Sequence, residues 1–131
     1  MTQDEKSAGN GRRALVVDDD DTMAEFVSRV LTRAGYQVTT CSDGMAALAA
    51  FRAAPFDLVV ADERMPRLSG ISFLRNLRLP PGSPHRVVIF SSLVDEKFRR
   101  DAKAAGAFGC LLKPATAQQL LDAVAAAPSG S

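Results

Sequence analysis

Short apolar runs separated by amphipathic stretches recur five times along the chain. ALVV at 14–17, QVTTC at 37–41, DLVVA at 57–61, RVVIF at 86–90 and GCLL at 109–112 have the length and composition of strands. The first, third and fourth are nearly continuous in apolar residues, as expected of strands covered on both faces. Between the runs, apolar positions recur at spacings of three and four. Met23, Val27, Val30, Leu31 and Ala34 share one face of a predicted helix that Gly35 ends. A second helix over about 44–53 carries Met45, Leu48 and Phe51 and closes before Pro55. A third runs from near Gly70 through Ile71, Phe73, Leu74 and Leu77 and stops before LPPGSP, whose prolines cannot continue it. A fourth spans about 95–105 with Gly106 as its stop, and a fifth starts at the N-cap Thr116 and carries Leu120, Leu121 and Val124. Five strands alternating with five helices predict an α/β fold, a doubly wound parallel sheet in three layers.

Length and composition narrow this further. A chain of 131 residues with 47% hydrophobic content suits one domain, placed here at 13–127 between polar tails at 1–12 and 128–131. Sixteen Lys and Arg against 15 Asp and Glu leave no net field that would draw nucleic acid or a membrane surface, so neither is expected as a direct partner. The polar start MTQDEKSAGNGRR has no apolar segment of a secretory signal, which points to the cytoplasm. Cys41 and Cys110 lack metal or redox spacing and are read as reduced, packed thiols.

The chemistry gathers where the apolar runs end: VVDDDD at 16–21, VVADERMP at 59–66, VIFSS at 88–92 and LLKP at 111–114. In a parallel α/β sheet these carboxyl ends of strands are where ligands bind. Asp18, Asp19 and Asp62 offer hard oxygen donors, and three converging carboxylates call for a cation such as Mg²⁺. Asp20 and Asp21 fall past the strand and suit a helix cap. Asp62, before a Met65-Pro66 turn, is placed to act as a nucleophile toward phosphorus. Lys113 offers a point charge for a phosphoryl oxygen, and Ser91 a hydroxyl donor. Each residue taken singly also fits a solvated turn, a cap or an ordinary loop. Their joint occurrence at strands one, three, four and five is what singles them out.

In that order and spacing, LVVDDDDTM, LVVADERMPRLSG, VVIFSS and GCLLKP resemble the receiver domain of two-component response regulators, the CheY-like superfamily, over about 13–127. The resemblance implies a flavodoxin-like sheet of order 2-1-3-4-5 with the site at the switch point between strands one and three. It implies that Asp62 is the phosphoacceptor, that Asp19, Asp62 and the backbone carbonyl of Arg64 ligate Mg²⁺ (with Mn²⁺ as a substitute), and that Asp18 holds the metal through water. Ser91 and Lys113 would bond the phosphoryl group, and Lys113-Pro114 would be cis. The implied partners are a histidine kinase or histidine phosphotransfer protein and a downstream protein target. The domain would catalyse its own phosphorylation and dephosphorylation without being an enzyme in the usual sense.

Two positions depart from the pattern. Cys110 stands where many relatives carry an aromatic residue that couples phosphorylation to output, and Ala115 where Phe is common, so an atypical output surface is expected. Phe26 is read as lying off the apolar face of the first helix, either an exposed aromatic partly covered by its neighbours or a group for docking a partner's helix, and His85 as a lone histidine without a catalytic part. Two other functions remain open. VVDDDDT also fits the DxDxT signature of haloacid-dehalogenase-type phosphatases, with Asp18 as nucleophile, although Asp62 is then unexplained. A degenerate receiver that serves only as an interaction module is the other.

Overall fold

The computed structural model of the protein describes residues 11–125, so the tails expected at 1–12 and 128–131 lie outside the described residues apart from Gly11 and Arg12. Among these residues, β1 (Arg13–Val17), β2 (Gln37–Cys41), β3 (Leu58–Asp62), β4 (Arg86–Ser91) and β5 (Gly109–Leu112) alternate with α1 (Asp21–Arg33), α2 (Gly44–Ala53), α3 (Gly70–Leu77), α4 (Glu96–Ala105) and α5 (Ala117–Ala125). The strands form one parallel sheet in the order β2-β1-β3-β4-β5. This is the doubly wound, flavodoxin-like fold with its switch point between β1 and β3.

Strand side chains alternate between the faces, and the two halves of the core follow. Ala14, Val16, Leu58, Val60, Val88 and Phe90 pack with Val27, Val30 and Leu31 of α1 and Leu120 and Val124 of α5. Leu15, Val17, Val59, Ala61, Val87 and Ile89 face the other way, onto Ala47 and Leu48 of α2 and Phe73 and Leu74 of α3. Each fully buried Val, Leu or Phe contributes about 1.5–3 kcal/mol, so the central strands are fixed from both sides and hold their carboxyl ends rigidly. β3, the middle strand, is buried along its whole length.

The helices start where short polar side chains meet orphan N–H groups. The Asp20 carboxylate accepts from the Thr22 and Met23 N–H groups at the start of α1, and Asp43, Ser69 and Asp95 do the same for α2, α3 and α4. Thr116 and Gln119 cap α5 reciprocally: the Gln119 N–H donates to Thr116 Oγ1 at 3.0 Å and the Thr116 N–H to Gln119 Oε1 at 2.9 Å.

Two expectations about helix faces are corrected. Met45 is 56% exposed, and the buried stripe of α2 runs instead through Gly44, Ala47 and Leu48. A Cβ at position 44 would lie 2.8 Å from Leu68 Cδ2, so the helix packs closely there and turns Met45 outward. Phe26 is half-buried against the α1–α5 half of the core, because Met23, Phe26, Val27 and Val30 form one stripe at spacings of three and four. It is part of the core margin rather than a free docking group.

Candidate functional site

Parallel register brings the singled-out strand ends together. β3 and β4 run one residue beyond their apolar stretches, because the Glu63 N–H donates to the Phe90 carbonyl at 2.9 Å and the Lys113 N–H to the Ser91 carbonyl at 2.8 Å. Asp62 and Ser91 are therefore the last residues of adjacent strands, and Lys113 directly follows the next. Asp18 follows β1 on the other side of β3, with its N–H donating to the Cys41 carbonyl at 3.1 Å. All four side chains come from strand ends, with little freedom to move.

Lys113 Nζ lies 2.8 Å from Asp62 Oδ1 and 3.7 Å from Asp18 Oδ2, and 5.2 Å from the centroid of the Phe90 ring. Asp18 and Asp62 are only 3% and 5% exposed, whereas Asp19 is exposed. A cleft of about 520 Å³ opens above them, lined among others by Asp19, Asp20, Asp62, Arg64, Ser91 and Lys113. The Ser91 hydroxyl donates to the Leu93 carbonyl at 3.1 Å and accepts from the Leu93 N–H at 3.2 Å, so it is held within its own loop. The Lys113-Pro114 peptide is cis. Asp20 caps α1 and takes no place in the carboxylate cluster.

One carboxylate oxygen from each of Asp18, Asp19 and Asp62 lies within 4.8 Å of the others. Three hard oxygen donors against one ammonium suit a divalent cation of the Mg²⁺ type, which takes one or two carboxylates and keeps several waters. The Asp18 carboxyl is pushed above its ordinary 3.8, first by burial and then by Asp62 and Asp19, while the Asp20 N–H and Lys113 pull it down. The folded protein thus holds this proton at pH values where the unfolded chain has lost it. Between 3.8 and the raised value the folded state binds more protons, so the contribution of Asp18 to stability falls as pH rises through that window. Added Mg²⁺ needs the deprotonated cluster. Melting followed against pH should therefore show Mg²⁺ raising Tm more at neutral pH than near pH 4, about the ordinary value of such a carboxyl, and an equal rise at both would contradict this account.

The loop between β3 and α3 is tightly tied to the site. The Gly70 N–H donates to the Glu63 carbonyl at 3.0 Å, and the Ile71 N–H to Glu63 Oε1 at 2.8 Å. A Cβ at position 70 would come within 2.7 Å of the Asp62 carbonyl oxygen, so only glycine lets α3 approach this closely. Burial, with the charge of Asp62, raises the Glu63 carboxyl, while the Ile71 N–H and Arg75 lower it. Reading the sequence assigned Glu63 no part, because the contact spans eight positions across an irregular loop.

Away from the cleft, Cys41 and Cys110 are free and half-buried, and burial raises both thiols. Cys110 lines a groove of about 560 Å³ with Arg99, Lys103 and Phe108. His85 Nδ1 lies 2.6 Å from the Phe56 carbonyl oxygen and its ring meets Phe51 edge-on at 5.2 Å, which ties the loop before β4 to the start of β3. Among the described residues, no helix is long and apolar enough to cross a membrane.

A family model described as the response regulator receiver domain matches residues 14–125. The chain is 37% identical over 93 residues to the probable transcriptional regulatory protein TcrX of Mycobacterium tuberculosis, a match over 70% of this chain and 40% of that protein. It therefore spans less than half the length of that relative. To the chemotaxis protein CheY-3 of Vibrio cholerae it is 34% identical over 115 residues, covering 84% of this chain and 86% of the other. Among solved structures, a response regulator protein from Burkholderia pseudomallei, with a phosphorylated aspartic acid, calcium ion and citrate, matches with a TM-score of 0.77 at 28% identity, over 86% of this chain and 66% of that one.

Proposed function

Because the chain belongs to the response regulator receiver domain family of two-component systems, we propose that it accepts a phosphoryl group from a phosphohistidine onto Asp62. The observation that carries this is the position of Asp62: a carboxylate lining a cleft, 2.8 Å from the Lys113 ammonium. An Asp62 oxygen attacks phosphorus in line. The O–P bond forms as the N–P bond breaks, and the electron pair of the broken bond leaves with the imidazole. Lys113 meets the negative charge of the phosphoryl oxygens at a fixed position, which is where most of the rate advantage of such a site arises. Ser91 is placed to donate to the same oxygens by leaving its bond to Leu93. Bound Mg²⁺, or Mn²⁺ in its place, supplies a compact charge against the phosphoryl oxygens; Asp19, Asp62 and the Arg64 carbonyl would hold it, with Asp18 acting through water.

In this reading the domain is 13–127 and catalyses its own phosphorylation and dephosphorylation in the cytoplasm. The phosphodonor is a histidine kinase or a histidine phosphotransfer protein, and the receiver of the signal is a downstream protein. The solved relative with a phosphorylated aspartic acid and a calcium ion supports both the acceptor chemistry and a divalent ion. The groove at Cys110, where a small thiol stands at the position that is aromatic in many relatives, supports an output surface built differently from theirs.

Incubation with acetyl phosphate and Mg²⁺ tests the reading. The expected result is one acid-stable, base-labile phosphoryl group per chain, absent when EDTA is added. No uptake under any divalent ion would leave a domain that acts only by binding.

A further inference from the structure

We propose that Glu63 is a positioning residue, whose side chain locks the β3–α3 loop and thereby sets the backbone on either side of Arg64 for metal and phosphoryl binding; this rests on the reading of Asp62 as phosphoacceptor. Glu63 is bonded in three directions. Its N–H donates to the Phe90 carbonyl of β4 at 2.9 Å, its own carbonyl accepts from the Gly70 N–H at 3.0 Å, and its Oε1 accepts from the Ile71 N–H at 2.8 Å. The last two take the first two N–H groups of α3, which no residue inside the helix can satisfy. Ser69 Oγ takes the Ser72 N–H at 3.1 Å.

The loop from Glu63 to Gly70 is thus closed at its base by one residue through both its backbone and its side chain. Inside it lie Arg64, which lines the cleft, and Arg67, held at a φ of 71°. Gly70 packs so closely on the backbone of Asp62 and Glu63 that a Cβ at position 70 would lie 2.7 Å from the Asp62 carbonyl oxygen, so the start of α3 and the end of β3 share one tight contact. Losing the side-chain bond would leave the Ile71 N–H unpaired in a part-buried position and free the loop to open. The site would then lose the fixed geometry that charge stabilisation requires.

A neutral pair of near-isosteric variants isolates the bond from the charge. Gln at 63 still offers an oxygen to the Ile71 N–H; Met does not. With Mg²⁺ alone as probe, followed by the amide resonances of the site, E63Q should bind within about threefold of wild type. E63M should bind about tenfold more weakly, in the range typical of lost outer-shell support. The Ile71 amide resonance should move in E63M and stay in E63Q, with both variants melting cooperatively. Glu63→Ala provides a second acceptor-free variant should E63M fail to fold. Equal Mg²⁺ affinity in the acceptor-free variants and E63Q would overturn the proposal while leaving Asp62 as acceptor untouched. A wild-type chain that neither binds Mg²⁺ nor takes up phosphoryl would instead overturn the reading of the site, and the part given to Glu63 with it.

Discussion

Asp62→Asn is expected to reduce phosphoryl uptake from acetyl phosphate to background while leaving the fold intact. The amide has the same shape, so β3 keeps its register with β4, but its oxygen is a far weaker nucleophile than a carboxylate. Removing this charge also takes one of the two carboxylates facing Lys113. The lost ion pair is offset in part by relief of repulsion between Asp62 and the buried Asp18, which is one of the causes raising the Asp18 carboxyl. Stability should therefore change little, and the Asp18 carboxyl should move down toward its ordinary range. Carbon-detected titration of Asp18 would show this. Uptake by the variant at the wild-type level would place the chemistry on another residue.

Lys113→Met should act in the opposite electrostatic direction and have the second largest effect. Among the described residues the Lys113 ammonium is the cation within 4.0 Å of both Asp18 and Asp62, so its loss leaves their charges facing each other in a site only a few per cent exposed. Breaking such a pair on one side costs about 3 kcal/mol where both groups are buried, and less here because the lysine side chain reaches solvent. Without metal the variant should melt lower than wild type, most clearly at neutral pH where the carboxylates are ionised, and Mg²⁺ should recover most of the difference. Phosphorylation should slow about 10²–10³-fold, the usual result of removing one preorganised donor from developing charge. A rate within threefold of wild type would show that Lys113 pairs with Asp62 without serving the transfer.

The parts of the molecule that were legible in its sequence share a physical origin. Apolar runs ended by Asp18, Asp62, Ser91 and Lys113 could be read as neighbouring strand ends because a parallel sheet places all its carboxyl ends on one side. Asp20 and Thr116 could be read as caps because capping is local, within three residues. What was misread depends on packing between elements. Met45 has helical spacing with Leu48 and Phe51, yet the close approach of Leu68 to Gly44 decides which face is buried. Phe26 reads as lying off the apolar face of its helix, yet it packs against the half of the core that α1 shares with α5. Glu63 and His85 were silent for a related reason: each bonds a backbone group eight or more positions away, Ile71 and Phe56, and no periodicity reports such contacts.

The structure also bears on which aspartate takes the phosphoryl group. In the phosphatase alternative Asp18 attacks and Asp20 serves as acid and base. The two aspartates are buried alike, but Asp18 does not line the cleft, its Oδ1 accepts from the Asp20 N–H at 2.9 Å, and the Asp20 carboxylate is engaged at the start of α1. Asp62 lines the cleft and holds the shorter contact to Lys113. These differences favour attack by Asp62. Trapping the acyl phosphate with borohydride after incubation with acetyl phosphate and Mg²⁺, then sequencing the peptides by mass spectrometry, tests this most directly: the account predicts reduced aspartate at position 62, and label at position 18 would contradict it.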